Sequence, residues 1–186
     1  MSNKVHIVFV LDRSGSMSSV ANDAAGGFNQ FVEAQKKAKV KPLITLIQFD
    51  TAYEVNCEKV ALKDAPVLTV GENYIPRGMT ALNDALGKAI TTHEDEKHVI
   101  VGVMTDGQEN SSHEFSKDAL KSLIERKQKD GWEFHYLSSD LNAFSDAGQL
   151  GILKQNTVNM TNDSAGARSA YATFTSATTK YVSSNS

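Results

Sequence analysis

Two short stretches of this chain combine residue types that can hold a cation. Residues 11–17 read LDRSGSM, which sets Asp12, Ser14 and Ser16 at alternate positions directly after an apolar run. Residues 103–107 read VMTDG, so a second apolar run ends in Thr105, Asp106 and Gly107. Between them, RGMTALNDAL (77–86) supplies Thr80 at the start of a helical pattern. If the two apolar runs are neighbouring strands, Asp12 and Asp106 lie roughly 5 Å apart at the backbone. Carboxylates that close repel, and one tends to protonate unless a cation lies between them. Every candidate ligand atom is a hard oxygen, from two carboxylates, two serine hydroxyls and a threonine hydroxyl. That set suits Mg²⁺ or Mn²⁺ and disfavours zinc or copper, which prefer imidazole and thiolate. Gly15 gives the backbone room to turn between the serines. Each stretch also has a plainer use: Ser14 and Ser16 could cap a helix, Thr80 fits an N-cap, and Asp106-Gly107 is an ordinary turn.

Other chemistries find less support. Cys57 is the one cysteine, which rules out an intrachain disulfide and a cysteine-based zinc site. Residues 93–98, HEDEKH, approach the H-E-x-x-H pattern of zinc proteases, but the second histidine falls one residue late and would leave the helix face. The segment reads as a polar turn between a helix and a strand. His135 lies within a strand-like run and reads as a packed histidine. No P-loop, G-x-G-x-x-G or G-x-S-x-G occurs. The alternative reading is a magnesium-dependent phosphoryl or phosphodiester enzyme, since α/β folds place Asp and Mg²⁺ at strand ends. Against it, Ser14 stands where a second aspartate would be expected, and no general base is identifiable.

The elements that must position these residues follow from hydrophobic periodicity. Val5–Leu11 is a nearly continuous apolar run, as in a strand covered on both faces. Residues 20–38 place Ala24, Phe28, Phe31 and Val32 at helical spacing. Pro42–Phe49 and Ala52–Val60 are strand-like runs separated by two residues, which allows a hairpin but no crossover. A helix over 81–92, a strand over 97–104, a helix over 115–130 and a strand over 132–138 follow. A short helix (143–150), a strand (155–160) and a closing helix from Asp163 to Val182 complete the order. That last helix is rich in Ala and Thr, with Tyr171, Phe174 and Tyr181 as large anchors. Weak anchoring would let it shift in response to the site, but the same composition suits a helix lying on a flat sheet. The alternation predicts a Rossmann-like, doubly wound, six-stranded sheet, mostly parallel, with one antiparallel edge strand and helices on both faces. In such sheets ligands bind beyond the carboxyl ends of the strands, where the winding reverses.

The motif DRSGSM, with Thr80 and MTDG, resembles the von Willebrand factor A domain and its metal-ion-dependent adhesion site. Asp12, Ser14, Ser16, Thr80 and Asp106 match the five positions of that site in order. The resemblance implies one domain over residues 1–186 and a bound Mg²⁺ or Mn²⁺ whose remaining coordination position is filled by an Asp or Glu of a partner protein. Residues flanking these ligands in loops then form the expected exposed rim: Arg13, Met17, Arg77, Met79, Gln108, Glu109 and Asn110. Arg13 and Arg77 would assist a partner carboxylate, while Glu109 would reject misplaced acids. Asp50 faces the same edge but is expected to lie too far away to coordinate.

Length and composition frame the setting. The 186 residues are 40% hydrophobic and 22% charged, which fits a globular chain, and the net charge of −3 argues against a nucleic-acid partner. No apolar run reaches the ~20 residues needed to span a bilayer, so no membrane association is expected. The start of the sequence reads as a first strand rather than a signal peptide. A cytoplasmic protein is the expectation. By resemblance, it would be a stand-alone bacterial or phage type that helps assemble complexes, including ATPase-containing ones.

Overall fold

The structure, a computed structural model, describes residues 4–39, 41–106 and 108–186. Six strands form one sheet in the order β3-β2-β1-β4-β5-β6. They are β1 (His6–Asp12), β2 (Leu43–Phe49), β3 (Tyr53–Ala61), β4 (Val99–Thr105), β5 (Glu133–Ser138) and β6 (Thr157–Asn159). Only β3 is antiparallel, because the three residues between β2 and β3 cannot carry the chain back across the sheet. All other pairings are parallel. The helices are α1 (Ala21–Lys36), α2 (Leu82–Thr92), α3 (Lys117–Lys129), α4 (Ala143–Gln149) and α5 (Ser164–Ser184).

Side-chain alternation along β1 divides the core in two. Ile7, Phe9 and Leu11 face the layer of α1 and α5, where Phe28, Phe31, Tyr171 and Phe174 close around Phe9. Val8 and Val10 face the opposite layer, with Leu86 and Ile90 of α2 and Leu120 and Ile124 of α3. Because both faces are covered, all seven residues of β1 are buried, which is why the strand reads as a continuous apolar run. Winding reverses at β1 and β4: chain order runs outward through β2 on one side and through β5 on the other. The expected switch point therefore falls between the ends of these two strands.

Three features differ from the sequence expectations. A six-residue 3-10 turn, Gly15–Val20, precedes α1, so the loop after β1 is itself ordered. The last strand contracts to three residues and is preceded by another 3-10 turn, Lys154–Asn156. The closing helix is anchored more firmly than its composition suggests. Tyr171 Oη donates to the Ala24 carbonyl at 2.7 Å and Tyr181 Oη to the Gly131 carbonyl at 2.8 Å. Phe174 is fully buried and seats in the notch that Gly102 leaves in β4.

Candidate metal centre

The carboxyl ends of β1 and β4 bring four of the five expected ligands into one hydrogen-bonded run. Asp12, the last residue of β1, is fully buried. Its Oδ1 accepts from the Ser14 N–H at 2.6 Å and its Oδ2 from Thr105 Oγ1 at 2.7 Å. Ser14 Oγ lies 3.1 Å from Ser16 Oγ, and Ser16 Oγ donates to Asp106 Oδ1 at 2.8 Å. Thr105 thus supports Asp12 from the end of the neighbouring strand, a role that its place beside Asp106 does not by itself announce. Tyr74 adds a second support, donating to the Asp12 carbonyl at 2.7 Å from a wholly buried position.

Thr80, the fifth residue, is buried in a loop that backbone hydrogen bonds tie to the first turn. Gly15 N–H donates to the Gly78 carbonyl at 3.1 Å and Arg77 N–H to the Arg13 carbonyl at 2.7 Å. The left-handed turn sits at Gly78 (φ 68°), where a Cβ would approach Thr51 Oγ1 to 3.2 Å. Gly15 itself has no positive φ. The flexibility expected between the serines is needed in the partner loop instead. Nor does Thr80 cap a helix: α2 begins at Leu82, and its first amides are satisfied from another loop. Asn83 N–H donates to Glu109 Oε2 at 2.8 Å and Asp84 N–H to Ser112 Oγ at 3.0 Å. The Thr80 hydroxyl makes no hydrogen bond among the described residues. Likewise, Ser14 makes no side-chain cap bond at the start of the 3-10 turn, and α1 begins after Val20 without a side-chain cap.

The expected rim is corrected at three positions. Arg13 is buried, with Nε on Asp50 Oδ2 at 2.9 Å and Nη1 on Glu54 Oε2 at 2.8 Å. Its guanidinium is committed to the hairpin rather than turned outward. Met17 is also fully buried, because the 3-10 turn directs it into the core beneath the loop. Glu109 is half-buried and spends its carboxylate on the amides of Asn83, Ser111 and Ser112. Arg77, Met79, Gln108 and Asn110 are exposed as expected, although the Asn110 side chain also accepts from the Thr80 N–H at 2.9 Å. Gly107, the second half of the expected Asp-Gly turn, lies outside the described residues. Asp50, set aside as too remote to coordinate, joins the loops: its buried carboxylate accepts from both Arg13 and Arg77, and its carbonyl from the Ala81 N–H.

The electrostatics suit a cation. Burial raises the Asp12 carboxyl to about 6, against the lowering effect of its bonds to Thr105 and Ser14. Burial also raises Asp106, against its bond to Ser16, and the charge of Asp140 adds to the rise. No basic side chain pairs with either carboxylate among the described residues. Two desolvated acids joined by hydroxyls and lacking a counter-charge are the donor set that a small divalent ion satisfies.

The fold recurs in solved structures. The von Willebrand domain of the type V pilus tip protein Mfa5 from Porphyromonas gingivalis superposes with a TM-score of 0.71 at 12% identity, covering 96% of each chain. Manganese-loaded TRAP protein from Plasmodium vivax gives 0.61 at 14% identity, over 90% of this chain and 73% of that one. Proximal thread matrix protein 1 of the mussel byssus, solved with a zinc-occupied adhesion-site motif, gives 0.60 at 14% identity. The match covers 91% of this chain but only 46% of the byssus protein. No curated protein matches the chain in sequence. The sequence profile of the von Willebrand factor type A domain matches residues 6–176. With the sheet order and the strand-end motif agreeing, the chain belongs to the von Willebrand factor type A domain family.

Proposed function

We propose that Asp12, Ser14, Ser16, Thr80 and Asp106 hold one Mg²⁺ or Mn²⁺, directly or through water, and that an Asp or Glu of a partner protein completes the ion's coordination. The chain is then a metal-dependent interaction module. The observation that carries this reading is the hydrogen-bonded run from Asp12 through the Ser14 N–H and the Ser14 and Ser16 hydroxyls to Asp106, at the switch point of the sheet. Two aspartates formally neutralise a divalent ion, and a charged third carboxylate still gains from direct contact in a partly desolvated site. Arg77, Met79, Gln108 and Asn110 form the exposed surroundings that a partner would touch. The chain's own part is to orient the oxygens through Thr105, Tyr74 and the paired loops, and to exclude water from Asp12. An enzyme at this position would need a proton-transfer group. Among the described residues, no histidine side chain bonds to the five, which favours binding over catalysis.

Assembly of an intracellular complex, in an ATPase-containing machine of a bacterium or phage, is the setting we favour. Supporting this, Cys57 stands alone and half-buried on β3, which suits a reducing compartment. Two measurements test the reading. Calorimetry should show uptake of one Mg²⁺ or Mn²⁺, lost in Asp12→Ala. Affinity capture with the native chain should retain partners that disappear both with EDTA and with Asp12→Ala. Absence of metal uptake by the folded native chain would sink the proposal.

A further inference from the structure

The HEDEKH segment, which reads as a mere turn in the sequence, takes part in a second cluster at the far end of the sheet. His6 opens β1, His93 follows the last turn of α2, and Glu96 lies in the loop that leads into β4. Six residues of extended strand put this cluster about 20 Å from Asp12. His6 Nδ1 lies 2.9 Å from Glu96 Oε2, and His93 Nδ1 lies 3.0 Å from Glu96 Oε1. One candidate ligand atom from each residue falls within 4.8 Å of the other two. Both imidazoles are almost wholly buried and meet edge to face, with ring centroids 4.7 Å apart.

We propose that His6, His93 and Glu96 form a second cation site that takes a borderline transition-metal ion such as Zn²⁺. Two imidazoles and a carboxylate are a zinc-type donor set, unlike the all-oxygen set at Asp12. In tetrahedral zinc geometry with bonds of ~2.0–2.1 Å, ligand atoms stand ~3.3 Å apart. The two Nδ1–Oε contacts, at 2.9 and 3.0 Å, need to lengthen by a few tenths of an ångström, and a pair near the 4.8 Å limit of the set needs to draw in by about 1.5 Å. The supports are those that metal-binding residues require. His6 Nε2 lies 2.7 Å from Thr45 Oγ1, a contact that can hold the imidazole with its proton on Nε2 and the Nδ1 lone pair turned inward. The Glu96 carbonyl is pinned by Trp132 Nε1 at 2.8 Å, and the Glu96 N–H by the His93 carbonyl at 2.9 Å.

Lys59 acts as the stand-in cation. It is the one non-glycine with positive φ (49°) among the described residues, next to the register shifts in the β2–β3 pairing. That backbone lets its N–H bond Thr45 Oγ1 at 2.9 Å while its ammonium reaches Glu96 Oε1 at 2.7 Å. The Lys59 side chain is 46% exposed, so it can swing into water when a metal takes its place.

This geometry sets the sign of the test. In millimolar Mg²⁺, the native chain should take up one equivalent of Zn²⁺ by calorimetry, and Co²⁺ should give the intense visible absorption of a tetrahedral centre. His93→Ala and Glu96→Gln should each weaken uptake about 100-fold, and Glu96→Gln keeps a hydrogen-bonding side chain should His93→Ala fail to fold. Lys59→Ala should tighten uptake severalfold, because a competing positive charge is gone. His113→Ala, at an exposed histidine elsewhere, should change nothing. Zinc uptake that is absent, that persists in Glu96→Gln, that weakens in Lys59→Ala, or that vanishes in Asp106→Asn would overturn the assignment. The last result would place the ion at the Asp12 centre instead.

Discussion

Asp12 is the residue on which the strand-end centre depends, because its carboxylate is removed from water and receives only neutral donors. In the metal-free chain its carboxyl titrates near 6 rather than at its ordinary 3.8. The folded state therefore holds a proton that the unfolded state has already released. Stability contributed by protonated Asp12 is present below about pH 4 and lost as pH rises through 6, a change on the order of 3 kcal/mol. Comparing native protein with Asp12→Asn in EDTA isolates this group from the other titrating residues. The difference in unfolding free energy should shift against the native chain between pH 4 and pH 6.5, and added Mg²⁺ should restore the native chain at pH 7. A difference that stays flat with pH would mean that Asp12 is not desolvated. Ser16 offers a contrasting case. It is exposed and bonds Asp106, so Ser16→Ala should weaken Mg²⁺ binding about tenfold while leaving the melting temperature within about 1 °C.

The two loops that carry the proposed ligands are held by an ion-pair clamp. Asp50 in the β2–β3 turn accepts from Arg13 in one loop and Arg77 in the other, and backbone bonds run between the loops themselves. The two arginines differ in burial, side-chain exposure being 6% for Arg13 and 59% for Arg77. Removing Arg13 leaves a buried carboxylate poorly matched, so Arg13→Ala should cost about 3 kcal/mol in denaturant unfolding. Arg77→Ala should cost under about 1 kcal/mol, and would affect partner binding instead. Equal losses would show that the clamp is not divided in this way. This clamp also explains how far the site was legible in the sequence. Asp12, Ser14, Ser16 and Asp106 announce themselves because their spacing falls at strand ends, and strand ends follow from apolar periodicity. Arg13 and Met17 misled because alternation in a loop gives no direction. The Gly15–Val20 stretch winds as a 3-10 turn and buries Met17, while Arg13 meets acids 37 and 41 residues away that no local pattern reveals.

On the scale of the whole molecule, the sheet was readable because β1 and β4 are buried on both faces and β2–β3 has too short a connection for anything but a hairpin. The attachment of α5 was not, since nothing local to Tyr171 and Phe174 reveals the notches on α1 and β4 that their rings fill. Gly27 and Gly102 provide those notches. A Cβ on Gly27 would come within 2.1 Å of the Tyr171 ring, and one on Gly102 within 2.4 Å of Phe174. Close packing of this kind resists graded motion, because interdigitated cores shift between discrete arrangements or not at all. Gly102→Ala should therefore lower stability by about 2 kcal/mol, and pairing it with Phe174→Leu should recover part of that loss as the ring makes way. The same packing bears on any coupling between α5 and the strand-end centre. The notch at Gly102 lies in β4, the strand whose end carries Asp106, so a moving α5 would have to withdraw Phe174 from the core. Such withdrawal exposes a large aromatic side chain and costs on the order of 3 kcal/mol. Amide exchange across residues 170–178, normalised to that of β1 and β4, should consequently be the same in Mg²⁺ and in EDTA. Selective loss of protection in that helix upon chelation would show that the ion's charge reaches α5 and that the two notches serve as latches rather than fixed joints.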